Sequence, residues 1–356
     1  LTSSGTYNNT SIAFSSMLLS GDTTISGRLG TTGQRYGVPA NIDARVRDSG
    51  GNVIANQYYT LTIVNGNAMS WRGAAANNVY VGDIRLEQGR VWSDADNFGD
   101  NNFSLFINAN TLNSTTIWGE LGNWLSSRTV AKKTVITGGL VVLEGYQGSS
   151  GAKIDYGTVT TFTLSGQMTL NVSALADNRI SATYSMRDAK VTGQITGAGG
   201  LRYIGATAAL TDWDTSYTTS TTINRYSVLY LTNSSNNFTG TIKLDSGVIR
   251  MSDGTANGTL GGGSNDFSFN TTTAPAILDL FGTSQSIGAL NGASATNHFV
   301  QNNRQNTTST LTVGNGGASG NFAGVLRDYA ALPADNVAIT NEGATNAKLA
   351  LVKAGA

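Results

Sequence analysis

Apolar and polar residues alternate along this chain in short bursts, separated by Gly, Asn and Ser. The Thr161-Phe-Thr-Leu end of Thr158-Val-Thr-Thr-Phe-Thr-Leu, and Thr310-Leu-Thr-Val, place apolar side chains at every second position, the period of a half-buried strand. No convincing stretch of amphipathic helix interrupts these bursts, so parallel crossovers through βαβ units are excluded. The pattern predicts an all-β chain of strands about five residues long. Its corners fall on Gly or Asn, which take positive φ at little cost.

The bursts repeat. The run from Asn77 to Asp94, NNVYVGDIRLEQGRVWSD, is matched by NNFTGTIKLDSGVIRMSD from Asn236 to Asp253, with Gly89 aligned to Gly247 as turn glycines. Downstream, Asn102-Phe-Ser-Leu-Phe is matched by Asp266-Phe-Ser-Phe. A second echo pairs Val135-Ile-Thr-Gly-Gly-Leu with Gln194-Ile-Thr-Gly-Ala-Gly-Gly-Leu. A third pairs Asn237-Phe-Thr-Gly240 with Asn321-Phe-Ala-Gly324, adding two more turn glycines. Each unit reads as strand, Gly turn, strand, loop, strand. Such a unit buries its inward side chains only against neighbouring units, so stacking is obligatory and a β-solenoid is expected. A sandwich would need about seven strands per ~100 residues joined by hairpins, and hairpin Asn-Gly signals are scarce here.

Composition narrows the function classes. Only 12% of the 356 residues are charged, with 22 Lys+Arg against 22 Asp+Glu. A neutral chain offers no field to concentrate phosphate, so nucleic acid is not an expected partner. Cysteine is absent, which leaves repeated packing rather than disulfides to stabilise an exported protein. No apolar run approaches the ~18 residues of a membrane-spanning helix.

The run Gly258-Thr-Leu-Gly-Gly-Gly-Ser-Asn-Asp-Phe, then Ile277-Leu-Asp-Leu-Phe-Gly, then Gln285-Ser-Ile-Gly-Ala-Leu-Asn-Gly resembles the autotransporter-associated β-strand repeat family. Asn237-Phe-Thr-Gly, Asp245-Ser-Gly-Val-Ile, Leu311-Thr-Val-Gly and Leu349-Ala-Leu-Val-Lys-Ala-Gly belong to the same likeness, which is strongest over about 192–356. The resemblance implies a right-handed parallel β-helix in a large exported bacterial protein serving as stalk, adhesin or matrix element. It places the chain outside the cell or on the bacterial surface. Residues 77–356 are then the repeat array, broken off within a repeat. Residues 1–76 do not fit the unit and read as an N-terminal capping β module, with two strands around the Gly50-Gly51 turn. An unfinished last coil would be covered by continuing chain or by another copy. In the second case Tyr58, Tyr59, Leu61 and Ile63 form the candidate donor strand, alternating as an added strand must.

Candidate chemistry is sparse. His298 is the single histidine, and no Ser or carboxylate motif stands near it in sequence, so a ladder or loop role is expected. Asp94-Ala-Asp-Asn-Phe-Gly-Asp100 has the acids of a calcium loop but puts Phe98 at the fifth position and Leu105 where a bidentate Glu belongs. The run beginning Gly261-Gly-Gly-Ser264 meets a calcium-binding nonapeptide only once. Asp212-Trp-Asp214 is the strongest enzymatic lead, because positions i and i+2 on a strand share a face and two carboxylates can flank a sugar. Trp118 and Trp124 are candidates for stacking on a glycan, with Trp92 assigned to the core. No catalytic residue, cofactor or metal is expected. The leading expectation is a non-catalytic structural or adhesive rod. The alternative is a glycan-active β-helix such as a lyase, glycosidase or tailspike.

Overall fold

A computed structural model describes residues 16–26, 36–38, 41–64, 66–71, 79–93, 96–110, 117–123, 127–144, 161–184, 188–207, 226–333 and 339–355. These residues are almost entirely β-strand and turn, with one 3-10 turn at Asn315–Gly317 and no α-helix among them. The chain divides into two compact units, one of Leu1–Val142 with Thr163–Asn178, the other of Leu143–Phe162 with Arg179–Ala356.

In the first unit, Thr23–Ser26, Leu61–Val64, Ile84–Leu86, Ser104–Asn110, Lys133–Thr137 and Met168–Leu170 pair in succession, each parallel to the next. The register places Ile25, Ile63, Leu86, Ile107, Ile136 and Leu170 in one column, and all six are buried. Thr62, Arg85, Phe106, Val135 and Thr169 form the alternate, half-exposed column. The period-2 pattern is therefore one of inward and outward faces, and burying each inward Leu or Ile contributes about 1.5–3 kcal/mol. A second parallel ladder joins Tyr36–Val38, Gly66–Trp71, Gly89–Ser93 and Ile117–Asn123. A third joins Ser16–Leu18, Asn41–Asp43 and Val79–Tyr80.

The N-terminal region is joined to the ladders that follow it. Leu61–Val64 pairs with Ile84–Leu86 across residue 76, so the ladders run through the expected boundary. The expected pair of strands around a Gly turn is present, as an antiparallel hairpin of Arg45–Arg47 and Val53–Tyr58. Asp48 accepts from Gly50 N–H and Asn52 N–H to close its turn. The hairpin is a side excursion between two strands of the parallel ladders.

In the second unit, Asp188–Val191, Val228–Leu231, Ile242–Arg250, Ala276–Asp279, His298–Gln301 and Val325–Arg327 form one parallel ladder. Ala189, Leu229, Ile249, Leu278 and Val300 make its inward column and are buried. The first half of Ile242–Arg250 belongs to another ladder, with Leu201–Gly205, Phe267–Phe269 and Leu290–Asn291. Gln285–Ser286, Thr308–Val313 and Lys348–Lys353 form a third.

The internal repeat has a structural counterpart. Ile84 and Leu86 precede Gly89, and Ile242 and Leu244 precede Gly247; all four apolar residues are buried, and the glycines have φ of 83° and 82°. At that backbone conformation only glycine is unstrained, so both mark the corner where a strand leaves one ladder for the next. The downstream match is displaced. Leu105 pairs with Ile84 and Phe267 with Ile242, so Leu105 corresponds to Phe267 rather than to Phe269. The two-residue offset preserves which face is buried, and alternation alone cannot detect it.

Candidate functional site

The densest polar chemistry lies on the outward face of the ladder containing Val248, Ile277 and Phe299. Arg250 and Asp279 are neighbours in its register, and both are fully buried. Arg250 Nε donates to Asp279 Oδ2 at 2.8 Å, and Arg250 Nη2 donates to Glu342 Oε1 at 2.9 Å. The guanidinium also lies 4.7 Å from the centre of the Phe281 ring. Asp279 Oδ1 accepts from Phe281 N–H and Asn303 N–H. Asn303 Nδ2 donates to Ala330 O at 2.9 Å, and Ala330 N–H returns to Asn303 Oδ1. Burial opposes the Arg250 charge, but Asp279 and Glu342 outweigh it and hold the guanidinium above its ordinary range. Burial also pushes the Asp279 carboxyl up, while Arg250 pulls it back. Both Asp279 oxygens act as acceptors, so the geometry serves the ionised pair.

This network fixes chain connections. It ties two strands of the ladder to the segment around Glu342, which packs Ile339, with Leu332, against the Val228, Tyr230, Val248 and Ile277 cluster. Sequence reasoning passed over it. The available signal was one charge inside each of two apolar runs, Val248-Ile-Arg-Met and Ile277-Leu-Asp-Leu.

A second buried charge lies in the first unit. Lys132 is 1% exposed, and its Nζ donates to Asp100 O at 2.6 Å. Burial draws its ammonium down to about 8, against the attraction of Asp100 and Asp83. Tyr58 hydroxyl meets Asp100 Oδ2 at 3.3 Å, and its ring meets Phe103 edge-on at 5.0 Å. Burial, followed by Asp100, pushes the Tyr58 phenol up.

The residues singled out in the sequence are dispersed. His298 is buried in a ladder and stacks on Phe269 with ring centres 4.9 Å apart. Its Nδ1 accepts from Ser294 N–H, and its Nε2 bonds Thr271 O, so the carbonyl places the proton on Nε2. Gly240 and Gly324 are required by close approach rather than by positive φ. A Cβ on Gly240 would lie 2.3 Å from Gly199 C, and one on Gly324 would lie 2.4 Å from the Phe322 ring. In the acidic loop, Asp96 accepts from Thr129 N–H and Asp100 from Asn102 N–H, while Phe98 is buried; Asp94 lies outside the described residues. Asp266 of the Gly-rich run accepts from Ala289 N–H. Asp212, Trp213, Asp214 and Trp124 lie outside the described residues, as do the side chains of Trp92 and Trp118.

The candidate donor strand lies inside a ladder. Leu61–Val64 is paired on both edges, to Thr23–Ser26 and to Ile84–Leu86, and Leu61 and Ile63 are buried. Tyr58 is committed to the hairpin, and Tyr59 N–H donates to Ala44 O. Donation of this strand would require dismantling the ladder it supports.

The last strands of the second unit are more exposed. Leu326 continues the column of Val300, yet exposure rises from 0% to 38%. Leu351 pairs with Leu311, and exposure rises from 0% to 50%. Asp328 accepts from Leu349 N–H at 2.8 Å and meets Lys348 Nζ at 3.2 Å, occupying one donor of this edge.

No family model, curated protein or solved structure matches the chain.

Proposed function

We propose that this chain is a non-catalytic structural or adhesive segment of an exported bacterial surface or matrix protein, folded as a right-handed parallel β-helix. The observation that carries this reading is the in-register apolar column repeated strand after strand in each unit. A stack built this way extends by adding coils, and its outward face is free to carry Thr, Asn and Arg without changing the core. The carboxylates of Asp279 and Asp328 are engaged in backbone contacts, which suits a scaffold. The half-exposed Leu326 and Leu351 mark where a further coil, from continuing chain or another copy, would add. Nuclear Overhauser contacts should join Leu86 to Ile107 and Ile107 to Ile136 in the first unit, and Ile249 to Leu278 and Leu278 to Val300 in the second. Antiparallel contacts between these strands would sink the solenoid reading. Light scattering across a concentration series tests addition between copies, which predicts rising particle mass.

A further inference from the structure

We infer that Ile339–Ala347 is a latch over a docking strip, opening and closing while the strand stack stays folded. The segment lies against Asn303–Asn306. Gln305 N–H donates to Asn341 O, Gly343 N–H to Asn303 O, and Asn306 N–H to Thr345 O. Two non-glycine residues, Asn341 and Asn346, hold φ of 66° and 51°, a conformation L residues adopt reluctantly. Most of the segment is exposed. Its deep attachments are Ile339, packed against the cluster of Val228, Tyr230, Val248 and Ile277, Glu342, held by Arg250, and the buried Ala347 at the segment's end. The ladder beneath is instead paired strand to strand with buried columns on its inward face. Segments with few buried contacts and exposed backbone bonds open at lower free energy than the core they cover.

Opening lifts Ile339 from the Val228, Tyr230, Val248 and Ile277 cluster and Glu342 from Arg250. The exposed strip suits an extended segment with a carboxylate close to an aliphatic side chain. Ile339 and Glu342 supply that chemistry in the closed state, and the same segment of a second copy is the occupant we assign to the open one. The proposal goes beyond the scaffold reading and does not require export or adhesion.

Native-state hydrogen exchange tests it on the full chain. The amides of Gln305, Gly343 and Asn306 should exchange on the order of 100-fold faster than those of Val248, Ala276 and Leu280 in the ladder. Glu342→Gln should speed the first three by a further order of 100-fold and leave the ladder amides unmoved. A lock supplies the second arm: a Cβ on Gly254 would lie 3.5 Å from that of Thr340, within disulfide reach. Gly254 holds φ of 88°, and the strain of the substitution is common to the oxidised and reduced forms being compared. Oxidised Gly254→Cys/Thr340→Cys should slow the latch amides to ladder rates, and reduction should restore them. A labelled peptide of residues 339–347 should bind the Glu342→Gln chain and not the oxidised lock. Equal exchange rates in latch and ladder, or equal acceleration of both by Glu342→Gln, would overturn the latch. Failure of the peptide to bind the opened chain would overturn the docking strip. The parallel strand-to-strand contacts would survive either failure, so the scaffold reading is judged separately.

Discussion

Replacing Lys132 with Met should change the pH dependence of stability in a defined window. The ammonium is held near 8 against an ordinary 10.5, a difference worth about 3 kcal/mol. Between those values the unfolded chain keeps a proton that the folded chain has lost, so wild-type stability rises with pH. Below pH 8 both states are protonated and the cost of burying the charge is carried in full. At pH 7 the variant sheds that cost but loses the 2.6 Å bond to Asp100 O, worth about 1.5–3 kcal/mol for a charged donor. The two nearly cancel, with a net change of about 0–1.5 kcal/mol in favour of Met. The lost bond and any packing change are common to every pH, so the informative quantity is variant minus wild type. That difference should fall by about 3 kcal/mol from pH 7 to pH 10.5. Urea unfolding of both proteins at half-unit steps, followed by tryptophan fluorescence, measures it. A difference that stays constant across the window would show that Lys132 does not titrate there, and the burial argument would fail.

Three further outcomes follow from the ladders. Asp279→Ala strands the buried Arg250 with Glu342 alone and should cost about 3–5 kcal/mol, read from the urea midpoint at constant m-value. Gly119→Ala would place a Cβ 1.8 Å from Leu86 O, whereas Gly21→Ala meets nothing within 4 Å; the first should destabilise by about 1–3 kcal/mol and the second by under about 0.5. Leu311→Asp and Leu351→Asp test one column at its buried and half-exposed positions, 0% and 50% exposed. Thermal melts should show the first unfolded or severely destabilised, and the second within about 1 kcal/mol of wild type.

The β character and the buried face were legible because alternation reports them directly. Ile84, Leu86, Ile242 and Leu244 appear as inward positions in the sequence and are buried in the fold. Gly89 and Gly247 were legible as corners for a similar reason, since a lone Gly between apolar pairs has few other uses. Partner choice was not legible. Leu86, Ile107, Ile136 and Leu170 share a column although the loops between them differ in length, so no fixed period connects them. Sequence matching therefore set Phe103-Ser-Leu against Phe267-Ser-Phe, two residues from the structural equivalence. The place of the candidate donor strand was hidden on the same ground, because Leu61–Val64 alternates as a free edge would but is paired on both sides.

The polar network was hidden for a further reason. A charge inside an apolar run reads locally as a solvated outward residue, and Arg250 and Asp279 do point outward from their strands. They become buried only because chain near Glu342, 92 residues beyond Arg250, returns over that face. Removing a buried charge from water is repaid only by a partner placed with good geometry, so the apolar runs alone cannot pair Arg250 with Asp279. The register pairs them, and the register depends on loop lengths that alternation does not encode. The same dependence separates the two levels of this fold. The inward columns tolerate exchange among Ile, Leu, Val and Phe, whereas the outward cover depends on a few particular side chains. Substitution there should loosen the cover before it disturbs the stack, the behaviour expected of a scaffold whose surface changes while its core is kept.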